Sequence, residues 1–500
     1  MPLLLRLQLV CHEWRENVCK RAFLWTYVNI GDLDNFALRF VKHQVEKSDD
    51  AFLHINLSKF CINLSMDTDY HDSPGINALL GARPRWKAVS IDLSHPSDLP
   101  RILFADVDNL PSLRRFEAKF SFSVTKELAI TVFQCLSGCL QLRKLEWHGR
   151  INSEIADGPF IHSTLLTLFG TRLSTITGIS MYFVLDSDFL GMLRACTNLT
   201  TINILALFIP NEGPPTSRTT NIVTLQRVTR LRIGGYNSDR ALLLLYLSVP
   251  DATEVHFGGS YIDLEPLRQF LTRNSPIIRE FNVVLPEDYR SDHINAVHDC
   301  IAITGKHLKR LGLLQSSSNA VAFPSTYNAK EAIVLPVLST LTLKCEYHSG
   351  IMLHPPLLNR LLTPALTHLL VESAGPCLAD ITMFIGRSRC PLQFIQVSLH
   401  ACDEHWLDPL LAATPYVEWG QFNRKQASKL VKRLSQHNSS TGYRFWKHLR
   451  HFRFLFDSEE RSGDERPLAI DALARARPTV RIMEGYAFCN SVMEMDNAWF

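Results

Sequence analysis

The feature that most narrows the folds open to this chain is a short window that returns along it: an apolar residue, followed by apolar residues three and five positions later. Clear copies are "LRRFEA" from Leu113, "LRKLEW" from Leu142, "LTTINI" from Leu199, "VTRLRI" from Val228, "ATEVHF" from Ala252, "IREFNV" from Ile278, "LKRLGL" from Leu308, "LSTLTL" from Leu338, "LTHLLV" from Leu366 and "LQFIQV" from Leu392. With weaker copies from Phe52, Trp86, Leu173, Tyr416, Leu449 and Arg477, sixteen windows recur at a mean step of about 28 residues. Each reads as a short strand with one apolar face.

Between the windows lie segments with helical spacing, such as "ITVFQCLSGC" from Ile130, "FLGMLRAC" from Phe189, "LRQFLTRN" from Leu267, "INAVHDCIAI" from Ile294 and "RKQASKLVKRLSQ" from Arg424. Several end in Cys or Pro just before the next strand, and proline cannot continue a helix. One strand and one helix cannot bury their own apolar faces. Stacked copies can, with a parallel sheet on one side and helices on the other. This pattern resembles the leucine-rich repeat and implies an α/β solenoid, a horseshoe with a parallel concave sheet and outer helices. It departs from that family where an Asn or Cys is expected eight residues after the anchor, since Ser121, Arg150, Leu207, Pro286 and Glu346 stand there. The expected stack is therefore irregular, lacking the usual side-chain ladder, with insertions at residues 211–220 and 315–332. Several separate α/β domains remain the alternative.

Composition narrows the function. The 500 residues carry 52 Lys plus Arg against 49 Asp plus Glu, too small an excess for a dedicated binder of nucleic acid or anionic membrane. The stretch "RFWKHLRHFR" from Arg444 to Arg453 interleaves aromatic and basic residues in a way single strands can use, but it equally reads as a strand with alternate positions facing water. The 12 cysteines show no regular pairing and no secretory signal precedes them, so reduced, buried thiols in an intracellular protein, cytoplasmic or nuclear, are expected. The apolar run from Ala241 to Val249 is about half the length of a membrane helix.

Enzyme signatures are missing: no phosphate-binding glycine loop, no nucleophile elbow and no H-E-x-x-H motif occurs. Two clusters look metal-like, His400, Cys402, Asp403, Glu404 and His405, and separately His293, His298 and Cys300. Neither has a second ligand pair at matched spacing. No catalytic residue, cofactor or metal is assigned, although a triad assembled from distant positions stays open.

The N-terminal "LLRLQLVCHEWRENV" places Leu3, Leu7, Val10, Cys11, Trp14 and Val18 on one helical stripe, which suits a cap for a repeat stack. The spacing of Leu7, Val10, Cys11, Trp14 and Arg15, followed by Leu24 and Trp25, also resembles the second half of an F-box and its exit strand, as in fungal F-box proteins with a leucine-rich-repeat-like region. The family's opening segment would lie before Met1, so a partial box is expected. The resemblance implies segments at 1–30 (partial box), 31–50 (connecting helix or cap), 51–485 (repeats) and 486–500 (tail). It further implies a substrate-recognition subunit of an SCF-type cullin-RING ubiquitin ligase. Leu7, Val10, Cys11, Trp14, Leu24 and Trp25 would meet a Skp1-like adaptor, and the repeats a protein substrate. The alternative is a stand-alone interaction scaffold. Strand alternation puts Arg115, Glu117, Lys144, Glu146, Arg230, Arg232, Glu254, His256, Glu280, Arg310, His368, His451 and Arg453 on the concave, substrate-facing side, with Lys119, Asn282 and Gln396 among them.

Overall fold

A computed structural model describes residues 16, 20–30, 35–60, 73–93, 99–104, 110–151, 159–208, 222–234, 240–258, 263–274, 277–285, 291–315, 332–345, 357–373, 378–399, 404–423, 430–438, 442–456, 471 and 473–486. The chain divides into two compact units, residues 1–231 and 232–500.

In the first unit, β1 (Tyr27–Ile30), β2 (Leu53–Phe60), β3 (Trp86–Leu93), β4 (Arg115–Val124), β5 (Lys144–Ile151), β6 (Gly178–Val184) and β7 (Thr201–Phe208) pair successively, all parallel. Parallel neighbours need crossovers, and these are α1 (Asn35–Lys47), α2 (Pro74–Gly81), α3 (Leu99–Phe104), α4 (Lys126–Ser137) and α5 (Pro159–Phe169). Next comes α6 (Ser187–Ala195), between β6 and β7. Sequence sets the helix starts: the Thr125 hydroxyl accepts from Leu128 N at 3.3 Å before α4, and Asp186 Oδ1 from Phe189 N at 2.6 Å before α6. The helices cover one sheet face. Phe133 of α4 meets Trp147 of β5 at 4.9 Å between ring centres, and Phe116, Leu145, Ile179 and Ile202 are buried on the same side.

The boundary between the units falls within β8 (Arg230–Ile233). The second unit repeats the plan with β9 (Glu254–Phe257), β10 (Glu280–Leu285), β11 (Arg310–Gln315), β12 (Thr340–Cys345), β13 (His368–Ser373), β14 (Phe394–Leu399), β15 (Trp419–Asn423), β16 (His451–Phe456) and β17 (Arg481–Tyr486), again all parallel. Its helices are α7 (Arg240–Tyr246), α8 (Leu264–Asn274), α9 (Ser291–Thr304), α10 (Leu378–Ser388) and α11 (Leu407–Ala413). Each unit thus has the α/β leucine-rich-repeat-like solenoid architecture. None of the described helices is long and apolar enough to cross a membrane, and Cys135, Cys139, Cys196, Cys300 and Cys390 are free and buried.

Consecutive repeats are tied more regularly than the missing Asn ladder implies. The carbonyl one residue after an anchor accepts two backbone N–H groups from the next repeat. Arg143 O takes Thr177 N at 2.7 Å and Gly178 N at 3.1 Å, and Lys309 O takes Ser339 N at 2.9 Å and Thr340 N at 3.1 Å. A hydroxyl at that same position adds a third bond: Thr177 to Arg143 O, Thr200 to Thr177 O, Thr229 to Thr200 O, Ser339 to Lys309 O and Thr367 to Ser339 O, at 3.0–3.3 Å. These small hydroxyls form a ladder at one position after the anchor, replacing the one expected at eight. In the second unit guanidinium groups add further stitches. Arg477, almost fully buried, donates to Leu434 O at 2.8 Å, to Trp446 O at 2.7 Å and to Phe445 O, and burial pushes its pKa down to about 10.

One repeat lies ahead of the first window, and two of the weaker windows shift frame. Trp25, Val28 and Ile30 occupy the anchor, third and fifth places of a first repeat, since Tyr27 is in register with His54, so the sheet begins ahead of residue 51. Ile176, not Leu173, precedes β6 as anchor. Val417, not Tyr416, precedes β15; Tyr416 is exposed and Val417 is buried. This last shift puts Gly420 on the core face, where an added Cβ would lie 2.6 Å from Cζ3 of Trp446. The Trp446 ring fills the room a larger side chain takes in other repeats. Gly420→Ala is therefore expected to lower stability by about 1–3 kcal/mol, read as a lower denaturant midpoint by tryptophan fluorescence, and an unchanged midpoint would contradict this packing.

Candidate functional site

All thirteen residues assigned to the substrate-facing side lie on the sheet face away from the helices. Their strand neighbours, such as Phe116, Leu145, Leu231, Val255, Phe281, Leu311, Leu369 and Phe452, fill the core. Arg115, Glu117, Lys144, Glu146 and Arg230 belong to the first unit, and Arg232, Glu254, His256, Glu280, Arg310, His368, His451 and Arg453 to the second. Among the residues assigned to an adaptor, Leu7, Val10, Cys11 and Trp14 lie outside the described residues. Leu24 and Trp25 sit on a 3-10 turn, Ala22–Trp25, leading into β1. Leu24 is half-buried, and Trp25 is 0% exposed, its ring centre 5.4 Å from that of His43 and 6.4 Å from that of Phe40 on α1. Trp25 therefore packs the chain's own core.

In the first unit, register brings a charged cluster together. Glu117 of β4 stands beside Glu146 of β5, which stands beside Ser180 of β6 and, beyond it, Asn203 of β7. Arg115 Nη2 lies 3.0 Å from Glu117 Oε2 and 3.2 Å from Glu146 Oε1, and Lys119 Nζ lies 2.9 Å from Glu117 Oε1. Burial works to raise the Glu117 carboxyl, but the hydrogen bond and charge of Lys119, with Arg115, hold it below its ordinary value. Glu146 moves the other way, raised by burial and by Glu117. Lys119 is raised by its bond to Glu117, and His148 is pushed down to about 4 by burial and then by Lys119. At neutral pH the cluster holds a neutral imidazole among fixed charges.

His148 Nε2 lies 3.0 Å from Ser180 Oγ, which accepts from Asn203 Nδ2 at 2.9 Å. The nearby carboxylate, Glu146 Oε2, lies 4.0 Å from that same ring nitrogen. A serine–histidine–acid relay needs hydroxyl and acid on opposite nitrogens, so this trio is arranged as a hydrogen-bonded surface and not as a nucleophile with its base.

The second unit has two contrasting regions. On β9 and β10, ligating atoms of Glu254, His256 and Glu280 lie within 4.8 Å of one another, the spacing that could gather a divalent cation. Arg310 Nη1 already sits 3.1 Å from Glu280 Oε1, however, so a cation would have to displace a guanidinium. Of the metal-like sequence clusters, His298 and Cys300 are buried within α9 and His405 is exposed, while His400, Cys402 and Asp403 lie outside the described residues.

On β13–β16, His368, Phe394, Trp419 and His451 occupy one register row, with successive ring centres 5.7, 5.7 and 5.0 Å apart. Beside it runs a row of Leu370, Gln396, Gln421 and Arg453. Reading from Tyr416 as anchor counts Trp419 as core; the one-residue shift turns it to the other face. The signal that could have corrected this is Gly420, a residue unsuited to an exposed strand position but required beneath a tryptophan ring.

No protein-family model and no curated protein matches the chain. Among solved structures, the leucine-rich repeat-containing protein LegL7 from Legionella pneumophila is similar over 72% of this chain and 88% of its own, with 13% identity and a TM-score of 0.32. The leucine-rich-repeat protein LIC12759 from Leptospira interrogans is similar over 88% of this chain and 97% of its own, with 11% identity and a TM-score of 0.28. The fold assignment rests on the strand registers themselves.

The folded protein resists protonating His148 until about pH 4, whereas an unfolded chain takes that proton near pH 6.5, so stability rises with pH across this window and is lost as pH falls through it. His148→Gln should flatten that slope by on the order of 1–3 kcal/mol between the two limits, measured by denaturation at a series of pH values. An unchanged slope would show that His148 is solvated.

Proposed function

We propose that this chain is a non-enzymatic protein-interaction scaffold that presents the sheet face away from its helices to a partner protein. The observation that carries this reading is Arg115 held against both Glu117 and Glu146 across adjacent strands. A pre-ordered surface of mixed sign suits the mixed charges of a protein better than the uniform charge of a phosphate backbone. Side chains already fixed by their neighbours also lose little freedom on binding.

A finer reading makes the scaffold the substrate-recognition subunit of a cullin-RING ubiquitin ligase, with Leu7, Val10, Cys11 and Trp14 meeting a Skp1-like adaptor. It is supported by the F-box-like spacing of those residues, and by the turn at Leu24 and Trp25 running into a strand, the order the resemblance implies. Transfer chemistry would then belong to other subunits.

Two measurements test these readings. Partners co-purifying with the full chain are expected to be lost on reversing the charges of Glu117 and Glu146 to lysine, and retained when the exposed α8 residue Arg268 is changed to Glu. A partner set indifferent to the face sinks the scaffold reading. Purified Skp1 should be retained by the wild-type chain and lost with Val10→Asp or Trp14→Ala, each anchor being worth about 2 kcal/mol or more. Failure of the wild type to retain Skp1 removes the ligase reading while leaving the scaffold.

A further inference from the structure

Five cysteines among the described residues are free and buried, and three of them behave as small apolar fillers of the core. Burial pushes the thiols of Cys196 and Cys300 up to about 12 and that of Cys390 up to about 11, where a thiol stays protonated and inert. Cys135 and Cys139 stand apart. Cys135 lies in the last turn of α4, and Cys139 follows Gly138, the residue that caps this helix with right-handed backbone angles, φ −73° and ψ −17°. Four residues of helical backbone set two Cα atoms about 6 Å apart, inside the span of about 4.4–6.8 Å that a disulfide bridges.

The two sulfurs are not equivalent. Cys139 Sγ donates to Cys135 O at 3.3 Å and accepts the backbone N–H of Leu110 at 3.4 Å. A hydrogen bond from the Cys135 thiol, joined by the Leu110 N–H and the charge of Arg172, holds Cys139 below its ordinary value against the effect of burial; the same bond, with burial, raises Cys135. Donors aimed at a sulfur favour its thiolate, the form that attacks. Leu110 also opens the turn to Leu113 that leads into β4, so the pair joins the end of α4 to the strand carrying Arg115 and Glu117.

We propose that Cys135 and Cys139 form a peroxide-responsive dithiol, with Cys139 the attacking sulfur and Cys135 the resolving one. The Cys139 thiolate attacks one oxygen of hydrogen peroxide: an S–O bond forms, the O–O bond breaks, and the departing hydroxide leaves as water with the proton that Cys139 released. The Cys135 sulfur then attacks the sulfenic sulfur of Cys139: the S–S bond forms, the S–O bond breaks, and a second water leaves with the Cys135 proton. Two thiols give up two electrons and two protons, and one peroxide becomes two waters. With Cys139 only 4% exposed, a disulfide reagent of glutathione size has no approach, whereas peroxide is little larger than water. This site does not depend on the scaffold reading.

The test treats the native full chain with hydrogen peroxide, labels the remaining thiols with iodoacetamide in denaturant, and digests with trypsin. Cys135 and Cys139 fall together in the peptide Glu127–Arg143, which holds no other cysteine. Mass spectrometry should find this peptide two hydrogens lighter than its dithiol form and without label, while Cys196, Cys300 and Cys390 remain labelled. In Cys135→Ser the sulfenic acid should persist at Cys139 and be trapped by dimedone; in Cys139→Ser the Cys135 thiol should stay labelled and give no dimedone adduct. The wild-type comparison needs no substitution in α4, so it stands if either variant folds poorly. Full labelling of Glu127–Arg143 after peroxide overturns the proposal, as does equal loss of label at Cys196, Cys300 and Cys390. A dimedone adduct on Cys135 and none on Cys139 overturns the assigned order of attack.

Discussion

The structure depends on one repeated interaction, the carbonyl just after most anchors, which accepts two N–H groups from the next repeat. Once Arg143 O holds both Thr177 N and Gly178 N, the start of β6 is fixed against β5, and the register from Gly178 to Met181 follows. In a sheet a slip of one residue exchanges core and surface. The mixed-charge cluster around Arg115 and the aromatic row around Trp419 both exist because this fork pins the register. The threonine and serine hydroxyls strengthen the fork where they occur, each adding about 1 kcal/mol at most.

That constraint explains which parts of the molecule could be read from the chain. A parallel sheet with helices on one face follows from the apolar period, and the anchors at Leu113, Leu142, Leu199, Leu308, Leu338 and Leu366 all lead into strands two residues later. The thirteen polar residues assigned to the second face lie on it for the same reason. Reading fails where the anchor itself is ambiguous. Tyr416 and Val417 are adjacent and both apolar, and the choice between them is made by Trp446, some thirty residues further along, whose ring needs a glycine beneath it. Single-window reasoning has no access to such a contact. The hydroxyl ladder was hidden for a different reason: Thr and Ser beside an apolar anchor are common in any strand, and only the geometry gives them a shared role.

The two units spend their polar residues differently. In the first, acids and bases satisfy each other within the sheet face: Glu117 is held ionised by Lys119 and Arg115, and His148 is held neutral. A partner meeting this surface finds charges already paired, and selectivity comes from fit as much as from attraction. In the second unit Arg453 and Arg481 have no ion pair among the described residues, and the buried indole nitrogen of Trp419 has no acceptor among them.

Trp25 shows how the repeat restricts the N-terminal segment. In an F-box-like reading it closes the module; in the structure it is the anchor of the first repeat, with Val28 and Ile30 following at the third and fifth places and all three buried. The Trp25 ring is set against His43 and Phe40 of α1, the helix that joins β1 to β2. An adaptor that gripped Trp25 would have to open the first repeat, at the several kcal/mol that exposing a buried aromatic costs. The residue that most resembles the end of a box thus serves the sheet.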